Sequence, residues 1–407
     1  MSTIKYIISI AFASIFMMQS VVAQDQDTSK VSLAYDLDFQ MQFDNREFYR
    51  STFTPSMTIF AARLTPYIGI AVNQNKDTQH RVMAGIDVMK DFGKSPVSPE
   101  RAPAGDPETD SKQSNLDLFK EITLFYTLDK KIGKTDLSLA AGIFPRRISE
   151  GYYSRAFFSD SLRFYDNNLE GLLVKVRRPK AYYEVGCDWM GRFGTYSRER
   201  FMIFSAGEAK LIPMLSLGYS AYLYHYSCSM TADGVVDNVL VNPYIGLDLA
   251  EITKMQLFSV RLGWLQSMQN DRVMVGKYVY PAGVELDFDI RKWNVGIRNE
   301  FFYGRNMMPY YNTLDPGGFK YGNLLYMGSP FYQVHDSAVS TASKSRTSLW
   351  PGICDRLEVY YAPQFGLPYL NFRISAIFHF NEGIYSGCRQ MVSLNFNLQE
   401  LLKRNKR

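Results

Sequence analysis

The sequence predicts an all-β fold: a transmembrane antiparallel up-and-down β-barrel of about 16 strands (roughly 14–18), with short periplasmic turns and long extracellular loops. Three observations predict it. Apolar and polar residues alternate with a period of two over long segments throughout the chain. The connections between those segments alternate between long and short. Beyond the N-terminus, no apolar run approaches the roughly 20 residues that a spanning helix requires.

The chain opens MSTIKYIISIAFASIFMMQSVVAQDQD. Lys5 precedes an apolar run from Tyr6 to Met18, and the small residues Val21-Val22-Ala23 follow. This is the layout of a secretory signal peptide over residues 1–23, cleaved after Ala23 and too short to cross a bilayer as a helix. Residues 24–407 are then a single outer-membrane barrel domain. The polar stretch 94–116 does not divide it, because strand patterns continue on both sides.

The first strand reads VSLAYDLDFQMQF at 31–43, with Val31, Leu33, Tyr35, Leu37 and Phe39 on one face and Asp36, Asp38 and Gln40 on the other. Further segments follow at 53–73, 79–91, 117–128, 133–144, 167–178, 180–190, 198–208, 212–227, 239–250, 254–266, 276–290, 293–305, 353–362, 368–380 and 387–398. With strand one running upward, the long connections 92–116, 145–166, 228–238, 267–275 and 306–352 fall at one end. The short ones, 74–78, 129–132, around Pro179, 209–211, 251–253, around Lys292 and 363–367, fall at the other. A soluble sandwich has no reason to sort loop length by end, whereas an outer-membrane barrel does. In hydrocarbon every backbone N–H and C=O must be paired within the protein, so strands can span only as a closed barrel. The apolar faces then meet lipid and the charged faces the lumen. Trp189, Trp264, Trp293 and Tyr369, near strand ends, suit interfacial girdles.

Composition narrows the function. A net charge of +5 is too weak to argue for nucleic acid. The four cysteines, Cys187, Cys228, Cys354 and Cys388, follow no metal-ligand spacing, and neither metal nor cofactor is expected. No G-x-S-x-G, H-E-x-x-H or P-loop pattern occurs.

GIFPRR at 142–147, SDSLRFYDNNLEG at 159–171, CDWMGRFG at 187–194, LLYMGSPFY at 324–332 and DRLEVYYAP at 355–363 resemble stretches of poorly characterised, porin-like outer-membrane β-barrel proteins of Bacteroidota. That resemblance runs along most of the mature chain. It implies a barrel in the outer membrane of a Gram-negative bacterium and no particular activity. The architecture also resembles sixteen-stranded general porins, whose third external loop folds inward as a constriction. By that analogy the stretch 145–166 would supply Arg146, Arg147, Glu150, Arg155, Arg163 and Asp166 to a constriction.

The expected function is a porin-like channel for small hydrophilic solutes, oligosaccharides among them. Inward charges on the strands set selectivity in such a lumen. The pore-lining candidates are Asp36, Asp38, Glu184, Asp188, Arg261, Glu285, Asp287, Arg298, Arg356 and Arg373. Outer-membrane lipid and the solutes are the expected partners, and a homo-oligomer is left open. One alternative is a barrel hydrolase drawing on His80, His225, His335 or His379. Another is a binding or assembly protein acting through its external loops, the long 306–352 loop above all. With no catalytic motif present, the chain is expected not to be an enzyme.

Overall fold

The computed structural model describes residues 30–48, 56–92, 119–318, 320–334 and 351–398. The signal peptide, most of the 92–116 connection and the His335-Asp336 pair lie outside the described residues. Sixteen strands close into one antiparallel barrel. They are β1 (Lys30–Phe48), β2 (Met57–Asn75), β3 (Thr78–Asp91), β4 (Phe119–Ile132), β5 (Thr135–Pro145), β6 (Asn168–Arg178), β7 (Ala181–Gly191) and β8 (Arg200–Ile212). The second half comprises β9 (Leu215–Tyr226), β10 (Val236–Asp248), β11 (Leu257–Asp271), β12 (Ala282–Lys292), β13 (Val295–Gly304), β14 (Gly352–Tyr361), β15 (Leu370–Asn381) and β16 (Ile384–Asn397). Each strand pairs with its sequence neighbours, and β16 closes on β1 from Asp38↔Asn397 to Phe48↔Gly387.

Several strands run further at the short-turn end than the alternation predicts. β4 continues through Asp129, Lys130 and Lys131 to a turn at Gly133, whose φ of 60° suits glycine. Ladder pairing persists there because a strand leaving hydrocarbon still needs its backbone bonds, while its side chains no longer need to be apolar. At the β12–β13 turn, Trp293 and Asn294 both have positive φ (53° and 66°), the signature of a tight two-residue hairpin.

Pro66 lies inside β2, opposite Leu37 of β1. The β2–β3 ladder skips from Leu64↔Val88 to Tyr67↔Gly85, so the missing proline donor falls in a local gap. The backbones crowd there. A Cβ added to Gly85 would lie 2.6 Å from the Pro66 carbonyl oxygen.

The two faces of the sheet are inverted relative to a soluble protein. Val31 (64%), Ile68, Ile122 (73%), Leu172, Leu223 and Leu262 are exposed on the outside. Asp38, Asp44, Asp87, Glu184, Glu285 and Arg356 are buried within. A continuous apolar exterior of this extent is stable only against hydrocarbon.

The outward placement of Leu37 is testable. Leu37→Lys should cost about 2–4 kcal/mol if the residue lies near the midplane, and about 0–1 near an interface. Urea titration of the folded band on heat-modifiable gels measures this. No loss of stability would place Leu37 outside the hydrocarbon.

Candidate functional site

Strand pleat sends alternate side chains inward, so residues of one parity line the lumen. The segment 146–167 leaves the rim after Pro145 and turns into that lumen instead of solvent. A 3-10 turn, Arg146–Ile148, starts it. A short helix, Asp160–Tyr165, ends it, with Ser159 as N-cap accepting from the Leu162 N–H. Tyr153, Phe157 and Phe158 pack against the inward rings of Phe204 and Tyr222, which places an apolar cluster inside the barrel.

The polar groups of this segment reach the wall. Arg147 binds Asp38 (2.5 Å) and Asp36 (2.6 Å). Arg146 meets Asp188 at 3.1 Å and Asp166 at 3.3 Å. Glu184 accepts from the Ser149 hydroxyl (2.6 Å), the Glu150 N–H (2.9 Å) and the Tyr153 hydroxyl (3.0 Å). Glu150 pairs with Lys175 at 2.7 Å. The Tyr152 hydroxyl donates to Asp287 (3.1 Å), and the Arg261 guanidinium lies over its ring at 4.3 Å. Arg155 bonds Asp160 (2.9 Å) and Glu300, while Arg163 donates to the Tyr153 carbonyl (2.9 Å). On the wall itself, Arg298 bridges Asp287 (3.0 Å) and Glu300 (2.7 Å), and Arg356 and Arg373 share Glu358. Glu285 accepts from the Tyr332 hydroxyl and from Asn242. All sixteen charged residues singled out in the sequence therefore face the interior or stand on the inserted segment. Most of them are bonded to one another.

Sequence reasoning passed over Asp44, Glu300, Glu358 and Arg389, which complete these clusters together with Asp160 of the inserted segment. Asp160 alone contacts Arg155, Arg389 (3.1 Å) and Arg356 (3.8 Å). Burial opposes its charge, but Arg155, Arg356 and Arg389 hold its carboxyl well below the usual range. Glu300 and Glu358 each sit two residues beyond a selected arginine, so strand parity would have found them.

The long connection after β13 also differs from the expectation of a surface loop. Over 306–334 it tucks into the external half of the barrel, burying Tyr310, Tyr321, Tyr326, Phe331 and Tyr332. Tyr321 donates to Asp271 (2.7 Å) and Tyr326 to Gln269 (2.6 Å), both on β11. Backbone bonds tie it to the first inserted segment, Ser159 N–H to Met327 O (2.9 Å) and Ser329 N–H to Arg155 O (2.7 Å). Its aromatic content was legible in the sequence; that it packs inward was not.

The two inserts divide the lumen. Two vestibules of about 500 and 640 Å³ lie toward the short-turn end. A chamber of about 360 Å³ lies toward the long-loop end. Arg155 and Asp160 line both the first vestibule and the chamber, so their ion pair stands between the two. The chamber carries Arg46, Arg356, Arg389, Ser161 and His379. His379 is 2% exposed and stacks on Phe331 (centroids 4.0 Å apart), with Phe48 at its edge. Neither of its ring nitrogens has a hydrogen-bond partner, nor do Nε and Nη2 of Arg356. The other two described histidines sit elsewhere. His80 bonds Tyr126 (2.7 Å) on the lower wall, and His225 stacks on Phe201.

A buried imidazole and guanidinium with unused hydrogen-bonding atoms thus line the same chamber as Ser161, Arg46 and Arg389. Among the described residues no group of His, Cys, Asp or Glu is arranged to hold a metal.

Solved outer-membrane proteins resemble the chain in outline. OccAB4 of Acinetobacter baumannii is 9% identical with a TM-score of 0.42, covering 92% of this chain and 99% of its own. A loop-deleted OmpT of Vibrio cholerae is 7% identical with a TM-score of 0.49, covering 90% and 99%. A mutant porin of Rh. blastica is 11% identical with a TM-score of 0.42, covering 90% and 100%. No curated protein matches the chain. The model of a family described as lipid A 3'-O-deacylase-type matches residues 24–404. That match corrects the expectation of a non-enzymatic chain, which rested on missing motifs that a lumenal site assembled from separate strands would not display. Matched over almost its whole length, this chain belongs to the lipid A 3'-O-deacylase-type family.

Proposed function

We propose that this outer-membrane barrel hydrolyses an ester-linked acyl chain of a lipid A-type glycolipid, and that the external chamber holds the reacting groups. Family membership supports the reaction class. The observation that carries the site is His379, buried in the chamber wall with both nitrogens unpartnered. Leaving such a group unpaired costs stability, so its retention suits a task performed on a ligand. In this reading the neutral imidazole accepts the proton of an attacking water. Arg356, with unbonded Nε and Nη2, faces the charge that develops on the ester carbonyl. Collapse breaks the C–O ester bond, and His379 returns the proton to the departing sugar oxygen. Phe48, Leu162, Met327 and Phe331 give the same chamber an apolar side for the acyl chain.

His379→Phe separates the role from the fold. It removes an unsatisfied buried polar group, so heat-modifiable migration and urea resistance should be unchanged or improved. Loss of one acyl chain from lipid A, followed by mass spectrometry on the purified folded protein, should slow by about 100-fold or more. Full activity in this variant would remove His379, and with it the chamber, from the reaction.

A second reading, passage of small hydrophilic solutes, is favoured by the two vestibules and by the Arg155–Asp160 ion pair that lines both one of them and the chamber. Here Arg155 and Asp160 act as a latch. Asp160→Asn should raise single-channel conductance in planar bilayers above that of the wild type. The sign of the pH effect follows from the depressed Asp160 acidity. Its stabilising contribution is present above the ordinary carboxyl pKa of about 3.9 and is lost only as pH falls through the lower folded value. Acidification from about pH 7 to pH 5 should therefore leave the wild-type conductance unchanged. Opening at pH 5, or a silent Asp160→Asn, would contradict the latch.

A further inference from the structure

The larger vestibule, about 640 Å³, has no part in the chemistry above. Its charged groups are already paired. Asp36 and Asp38 hold Arg147, Arg81 binds Asp129 at 2.6 Å, and Lys175 binds Glu150 at 2.7 Å. What faces the cavity beyond these pairs is neutral. Gln40 of β1 lies in register with Asn395 of β16, and Asn395 with Asn371 of β15. Strands lie about 4.8 Å apart, so three amides side by side form a row spanning roughly 10 Å. On the neighbouring wall Tyr67 and Phe125 make an edge-to-face pair, with centroids 5.8 Å apart. Tyr67 is only 4% exposed, yet its hydroxyl has no hydrogen-bond partner.

We propose that this vestibule is a binding site for a neutral polyhydroxylated ligand, an oligosaccharide of two or three units entering from the short-turn end. Each amide both donates and accepts, which matches the mixed character of sugar hydroxyls. The Tyr67 and Phe125 rings give the vestibule an apolar wall against which the C–H face of a pyranose can lie. The pre-formed ion pairs leave little net charge to attract an anion. The volume is within the ordinary range for small-molecule sites, about 300–1,000 Å³. The 10 Å row gives the ligand its length.

The test uses the full folded protein in an amine-oxide detergent, which carries no sugar, with maltotriose and triacetylchitotriose as probes in isothermal titration. At least one trisaccharide should bind, and inorganic phosphate should not compete. Asn371→Leu combined with Asn395→Leu should raise Kd about tenfold or more, the scale of one or two lost hydrogen bonds. Tyr67→Phe should weaken binding by a smaller factor and keep the fold. His379→Phe should leave the affinity untouched, so failure here is distinguishable from failure of the esterase reading. Absence of binding by both trisaccharides, competition by phosphate, or unchanged affinity in the amide double variant would each overturn the proposal.

Discussion

The pairing of β16 with β1 is the constraint on which the rest of the molecule depends. A chain placed in hydrocarbon finds no water for its peptide groups, so an open sheet edge is prohibitively costly. Eleven in-register residue pairs, from Asp38↔Asn397 to Phe48↔Gly387, remove that edge. Closure fixes an inside and an outside. The period-two pattern then has one solution, with Val31 and Leu33 on lipid and Asp38 and Asp44 in the lumen. A register slip of one residue would reverse every side chain of the slipped strand.

Closing sixteen strands creates an interior too wide for wall side chains alone to fill. Two inserted segments solve the packing problem in different ways. The 306–334 insert contributes mainly aromatics and methionines, whose hydroxyls find carboxylates and amides on β11 and β12. The 146–167 insert is an ionic seam. Each buried carboxylate needs compensation, because desolvating a lone charge costs several kcal/mol. Arginine suits this task, since its planar fork can engage two acceptors at once, as Arg147 does with Asp36 and Asp38. Against this pattern of pairing, His379 lacks a hydrogen-bond partner on both ring nitrogens, and unsatisfied buried groups of this kind call for an explanation.

The divided lumen gives a chain of the lipid A 3'-O-deacylase-type family several enclosed cavities within one barrel wall. The barrel supplies a scaffold, and the inserts leave separate cavities with different linings inside it. In widely shared folds function lies in such local sites more than in the scaffold.

The sequence by itself determined the strand periodicity, the barrel, its sidedness and the inward parity of residues from Asp36 to Arg373. These follow from local rules, because alternation and loop length are written along the chain. Even Glu300 and Glu358 were recoverable from parity. Only the tertiary structure decided which charges meet, as with Arg155 and Glu300, or Arg389, Asp44 and Asp160, which lie far apart along the chain. Only it showed that Tyr332 and Phe331 turn inward and that His379 is walled in without a partner. Such contacts depend on how two irregular segments pack within a closed cylinder. That outcome is set by the summed fit of aromatic rings and ion pairs across the lumen, and no short window of sequence contains it.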